Sequence, residues 1–159
     1  MEFEVYKNKG FSVVELLIGI AVVLVLFGVI SSAFLRFRDT QALNSTSEQI
    51  ISLLDESRLK TISSKNSSQH GVRFESDKII RFEGEVFLES DSSNEELIIS
   101  ESVEIVNITL IGGGDDLVFQ KLSGNTNQSG SLTIRSKKDN TKTKIINIEP
   151  SGAVSVENE

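Results

Sequence analysis

Three regimes of hydrophobic patterning follow one another along the chain. Residues 16–35, LLIGIAVVLVLFGVISSAFL, carry no charged side chain. As an α-helix this run spans about 30 Å, the hydrocarbon thickness of a bilayer. The apolar stretch begins at Phe11 and is interrupted once, by Glu15. A carboxylate at bilayer depth costs about 2.5 to 3.5 kcal/mol on insertion scales, so Glu15 calls for a partner or a neutral form. A plain anchor has no use for it.

Beyond residue 35 charges return at helical spacing. Leu43, Ser47, Ile50, Leu54 and Thr61 or Ile62 share one side, and Arg36, Arg38, Asp39, Glu48, Asp55, Glu56, Arg58 and Lys60 lie mostly off it. This is the pattern of an amphipathic helix leaning on a sheet. The spacing predicts one helix from Phe11 to about Lys65, roughly 80 Å long and too long for a compact domain alone.

After the polar break SSKNSSQHG the period changes to two. Short β-prone runs follow: GVRFE, KIIRFE, EVFLE, ELIISE, EIVNITL, DLVFQK, SLTIRS, TKIINIE and AVSVE. They are separated by turn-forming clusters of Gly, Asn, Asp and Ser, and by Pro150-Ser151-Gly152. Val72 with Phe74, Ile79 against Ile80, Leu132 with Ile134, and Ile146 with Ile148 are each expected to put apolar residues on one face and polar residues on the other. The expected fold class is α+β. A long N-terminal helix, half transmembrane and half amphipathic, packs on an antiparallel head, either a meander or two small sheets. The expected divisions are residues 1–10, 11–35, 36–66 and 67–159.

Composition narrows the chemistry. A chain of 159 residues suffices for one head domain plus an anchor. Cysteine is absent, which removes disulfides, thiolate metal sites and cysteine nucleophiles. The net charge of −7 disfavours general nucleic-acid binding.

The segment KGFSVVELLIGIAVVLVLFGV, a short basic leader ending in Gly10, aromatic Phe11, and Glu15 four positions later, resembles the type IV prepilin signature. The resemblance implies cleavage by a prepilin peptidase between Gly10 and Phe11, N-methylation of Phe11, and a role for Glu15 in assembly. Elementary electrostatics agrees: cleavage leaves an ammonium near the bilayer, and the Glu15 carboxylate of an adjacent subunit neutralises it where water is scarce. Leader removal takes Glu2, Glu4, Lys7 and Lys9, so the side-chain charge of −7 is unchanged. Charge counting does not orient the span, because Lys7 and Lys9 are matched by Arg36 and Arg38. The resemblance implies a single pass through the inner membrane, with the N-terminus in the cytoplasm and the head outside. It further implies other pilins or pseudopilins, membrane lipid, and an assembly platform driven by a cytoplasmic ATPase as partners.

Two later stretches resemble GspH/FimT-type minor pilins and pseudopilins. One is the helix end around Leu54, Ser57, Arg58 and Thr61; the other is the final segment with Phe119, Gly130, Ile134, Ile148 and Gly152. The competing reading of the N-terminus is an ordinary secretory signal peptide cut near Ser31-Ser32-Ala33, which would release a soluble β-domain beginning at Phe34.

Other chemistry is thinly supported. Ser57 and Lys60 have the Ser-x-x-Lys spacing on a helix expected to be exposed, without the companion motifs of serine acyl-transferases. Gly112-Gly113-Gly114-Asp115-Asp116 lacks both the ligand spacing of a Ca²⁺ loop and the Gly-Lys-Ser/Thr ending of a phosphate loop, and reads as a turn. His70, the only histidine, is expected in a solvated turn. No catalytic residue, metal site or cofactor is expected. The basic cluster Arg135, Lys137, Lys138, Lys142 and Lys144 is the one place where DNA contact could begin, but the chain end AVSVENE is acidic. A DNA-binding pilin for transformation is therefore the second functional reading.

Overall fold

The structure, a computed structural model, describes residues 10–63 and 68–158. It divides into two compact units, Met1–Phe37 and Arg38–Glu159. A single helix, α1 (Val13–Ser63), contributes to both. In the first unit the stretch Val13–Ser31 is apolar enough to cross a membrane, and none of it is buried.

In the second unit α1 is the cover of a β-head. The stripe expected from the sequence is the buried one: Leu43, Ser47, Ile50, Leu54 and Thr61 are all buried, whereas Ile62 is exposed. Thr46 and Ser57 are buried beside them. Hydroxyl residues serve as core positions because each satisfies itself on the helix. Ser47 Oγ donates to Asn44 O at 2.7 Å, Ser57 Oγ to Leu53 O at 2.6 Å and Thr61 Oγ1 to Ser57 O at 2.9 Å. Such small side chains let a sheet come close without an orphaned polar atom. Ser57 is thus not on an exposed face, and its hydroxyl is already engaged.

Eight strands follow among the described residues: β1 (His70–Phe74), β2 (Lys78–Glu83), β3 (Glu95–Ile98), β4 (Val103–Leu110), β5 (Asp116–Val118), β6 (Gly130–Ser136), β7 (Thr143–Ile148) and β8 (Val154–Asn158). They make two four-stranded antiparallel sheets, in the orders β3-β2-β1-β5 and β4-β6-β7-β8. Leu43, Ile50 and Leu54 of α1 share one core with Val72, Phe74 and Ile79 of the first sheet and Ile105, Leu132, Ile134, Ile146 and Ile148 of the second.

Three further expectations change. Residues 85–89, EVFLE, form no strand, and Val86 and Leu88 are exposed. Instead this loop lays Phe87 edge-on to Phe82, with ring centroids 5.6 Å apart. That cover goes with the second change: Ile79, Ile80, Arg81 and Phe82 are all buried, so over these residues neither face of β2 is left to solvent. Phe82 lies over Gly71, its partner across the β1–β2 ladder, where a Cβ would meet the ring. Third, His70 is half-buried at the start of β1 rather than solvated, its N–H donating to Thr61 Oγ1 at 3.0 Å. Burial holds its imidazole below the ordinary histidine pKa. Residues 112–115 form a turn, with Gly112, Gly113 and Gly114 all at positive φ, and Asp116 opens β5. Helix residues beyond Ser63, expected to reach Lys65, fall outside the described residues.

Candidate functional site

At the N-terminus Gly10 has open space around it, and Phe11 is 82% exposed. The bond between them is therefore sterically accessible, while the leader residues before Gly10 lie outside the described residues. Ser12 caps α1. Its Oγ accepts the Val14 N–H at 3.3 Å, and its carbonyl accepts the Leu16 N–H at 3.1 Å. Glu15 falls in the first helical turn. Ser12 and Glu15 thus stand at the spacing of a capping box, and a carboxylate in that turn is favoured by the helix dipole. The Ser-x-x-Glu spacing of Ser12-Val13-Val14-Glu15 carries this relation in the sequence itself. Phe11, Glu15, Leu16, Gly19, Ile20, Val23 and Leu24 line a shallow groove of about 360 Å³ along one side of the helix. The groove is apolar apart from one carboxylate, and Gly19 contributes no side chain to fill it.

The basic cluster does not gather on one face. Arg135 stands opposite Glu104 across the β4–β6 ladder and donates to it from Nε at 3.1 Å and Nη2 at 2.6 Å. Lys144 pairs in register with buried Ile134, on the other side of the same sheet. Lys138 Nζ binds Asp39 at 3.0 Å, and Lys142 Nζ donates to Thr40 Oγ1 at 2.9 Å, both on α1. Lys137 is exposed in the β6–β7 turn, and its N–H donates to Ser102 O at 2.9 Å. With Arg38, Asp39, Ala42, Ser100, Glu101, Ser102 and Lys138 it lines a cavity of about 550 Å³. The long phosphate-tracking stripe that DNA binding favours is not formed by these five cations.

Two further constellations were not visible in the sequence. Arg81, its side chain 6% exposed, faces α1 from β2 and binds Glu56 at 2.8 Å and also Glu95. Lys60 closes the cluster, 3.3 Å from Glu56 and 3.5 Å from Glu95. Hydrogen bonding to Arg81 holds both carboxyls below the usual glutamate pKa. A buried arginine is tolerable here because its guanidinium binds two carboxylates that themselves reach solvent. The second constellation ties the end of α1 to the last turns: Arg58 Nε donates to Gly124 O and Nη2 to Ser151 O, both at 3.1 Å. Gly124 and Gly152 both have positive φ, and a Cβ on either would press on Arg58. The two stretches that resemble GspH/FimT-type proteins thus meet in space. Among the described residues no group of three or more His, Asp or Glu side chains is placed to hold a metal ion.

Residues 6–31 match the prokaryotic N-terminal methylation motif. The fold is similar to the crystal structure of the type IV minor pilin FimU of Pseudomonas aeruginosa PAO1, with a TM-score of 0.56 and 12% identity over 72% of this chain and 92% of that one. The chain matches none of the curated proteins with which it was compared. The motif occupies the segment that the sequence singled out, and the fold that follows it is that of a pilin. The chain carries a prepilin-type methylation signature at the start of a pilin-like fold.

Proposed function

We propose that this chain is a minor pilin or pseudopilin, a structural subunit rather than an enzyme. Prepilin peptidase cuts it after Gly10 and methylates Phe11. It resides in the inner membrane with its N-terminus in the cytoplasm and its head outside. From there a platform with a cytoplasmic ATPase builds it into a type IV pilus or type II secretion pseudopilus. The observation that carries the reading is the coincidence of a methylation motif with an apolar helix left wholly uncovered. Large exposed apolar surfaces need a lipid or protein cover, and a helix that moves from membrane to filament core has each in turn. Glu15 pairs with the Phe11 ammonium of a neighbouring subunit, and the apolar groove beside it receives that neighbour's helix.

Intact mass of the chain co-expressed with a prepilin peptidase tests this. The expected product begins at Phe11 and carries one added methyl group. A product beginning at Phe34 would instead support signal-peptidase release of a soluble head. The FimU structure is named a type IV minor pilin, and the same assignment for this chain rests on the similar fold and on this chain's own methylation motif.

A further inference from the structure

The cavity between α1 and the β6–β7 turn lies at a defined place along the chain. Arg38, on its wall, is the third residue after the uncharged run that ends at residue 35. Three residues of chain span at most about 11 Å. Each headgroup layer of a bilayer is about 5 to 7 Å deep, so the chain tethers Arg38 in or beside that layer when the apolar run fills the hydrocarbon. Phe34 and Phe37, on the preceding turn, are exposed. The cavity walls carry three cations, Arg38, Lys137 and Lys138, against the two carboxylates Asp39 and Glu101. Asp39 is already matched by Lys138. Ser100 and Ser102, whose hydroxyls lie 3.0 Å apart, add neutral hydrogen-bonding groups on the same wall. In a chain with a net charge of −7, this wall carries a local positive excess.

We propose that this cavity binds the phosphate headgroup of an anionic phospholipid while the subunit waits in the membrane. The proposal rests on the membrane-anchored reading above and gives the head a membrane-facing contact. Arg38 and Lys137 supply charge, Ser100 and Ser102 supply hydroxyl donors, and the Lys138–Asp39 pair holds the β6–β7 turn against α1. Extraction into a filament breaks this contact, so it belongs to the stored subunit rather than the assembled one.

The test uses the full chain in nonionic detergent, with native mass spectrometry counting bound dioctanoyl phosphatidylglycerol, dioctanoyl phosphatidylcholine, inorganic phosphate or a short DNA duplex. The expected result is a preference for phosphatidylglycerol over phosphatidylcholine of about tenfold, on the scale of juxtamembrane cations near anionic lipid. Combined Arg38→Gln, Lys137→Gln and Lys138→Gln should abolish the preference, whereas Lys121→Gln, on the 119–129 loop, should leave it intact. If the triple variant fails to fold, Lys137→Gln alone, at an exposed side chain, should reduce the preference about threefold or more. Equal binding of both lipids by the wild type, an unchanged ratio in the variants, tighter binding of duplex than of lipid, or displacement of lipid by equimolar phosphate overturns the proposal. Carbonate extraction of membranes tests anchoring separately. Release of the wild type overturns the anchored reading, whereas an integral wild type without lipid preference overturns the headgroup site alone.

Discussion

Arg81 shows how much a single side chain can organise in this head. It lies almost wholly out of water and binds one carboxylate from α1 and one from β3, so it ties the helix to the first sheet by charge as well as by packing. Arg81→Ala would strand two carboxylates, but both are more than half exposed and can rehydrate. The expected loss is therefore about 1 to 2 kcal/mol rather than the larger value of a fully buried pair, read as a lower urea midpoint. The same residues set a pH dependence. Glu56 and Glu95 have folded-state pKa values below their unfolded value of 4.5, so their stabilisation is complete above that value and is lost as pH falls through and below it. His70 is also depressed, by burial, from an unfolded value of 6.5. The unfolded chain therefore takes up a proton first, and stability begins to fall as pH drops below about 6.5. Melting temperature should decline in two stages on acidification. Glu95→Gln should flatten the lower stage without abolishing the upper one, and an unchanged lower stage would reject the role given to the Arg81 cluster.

At the scale of elements, the helix stripe was legible because a 3.6-residue period survives even when its members are Ser and Thr, as Ser47 and Thr61 show. Strands β6 and β7 were legible from strict alternation, Leu132 with Ile134 and Ile146 with Ile148. Residues 85–89 were misread because Val86, Phe87 and Leu88 have strand-forming side chains, and period alone cannot separate a strand from a loop that covers one. The decisive contact, Phe87 on Phe82, lies in tertiary packing. So does the pairing of Arg81 with Glu56, residues 25 apart on different elements. The covered face of β2 yields its own prediction. A Cβ at Gly71 would clash with the edge of the Phe82 ring. Gly71→Ala must therefore push the ring toward Phe87, at a cost of about 1 to 3 kcal/mol. The urea midpoint should fall with the slope of the transition unchanged. Adding Phe82→Leu, which withdraws the ring, should recover part of the loss. If Gly71→Ala leaves the midpoint unmoved, the loop does not press on this face.

For the whole molecule, the buried core residues of α1 among the described residues lie at or beyond Leu43, with Ala42 packed against them, while the stretch Val13–Ser31 is entirely unburied. A fragment of residues 38–159 should therefore fold and remain monomeric by sedimentation, whereas the full chain should need detergent. The N-terminal unit holds the more demanding question, since Glu15 has two available roles. It stands at the third helical position after the Ser12 cap, where it supports its own helix, and it offers a carboxylate to a neighbour's Phe11 ammonium. Glu15→Ala removes both roles, so loss of incorporation would not choose between them. Glu15→Gln does choose. Gln fills the third position of a capping box as Glu does, but carries no charge. An opposite-charge pair is worth about 4 kcal/mol at 4 Å and an effective dielectric of 20, and retaining even a third of that attraction is about a tenfold effect on association. If the pair drives assembly, Glu15→Gln should be cleaved and methylated normally, yet enter filaments about tenfold less than wild type in sheared fractions. Wild-type incorporation of Glu15→Gln, with loss only in Glu15→Ala, would move the residue's importance from the contact between subunits to the start of its own helix.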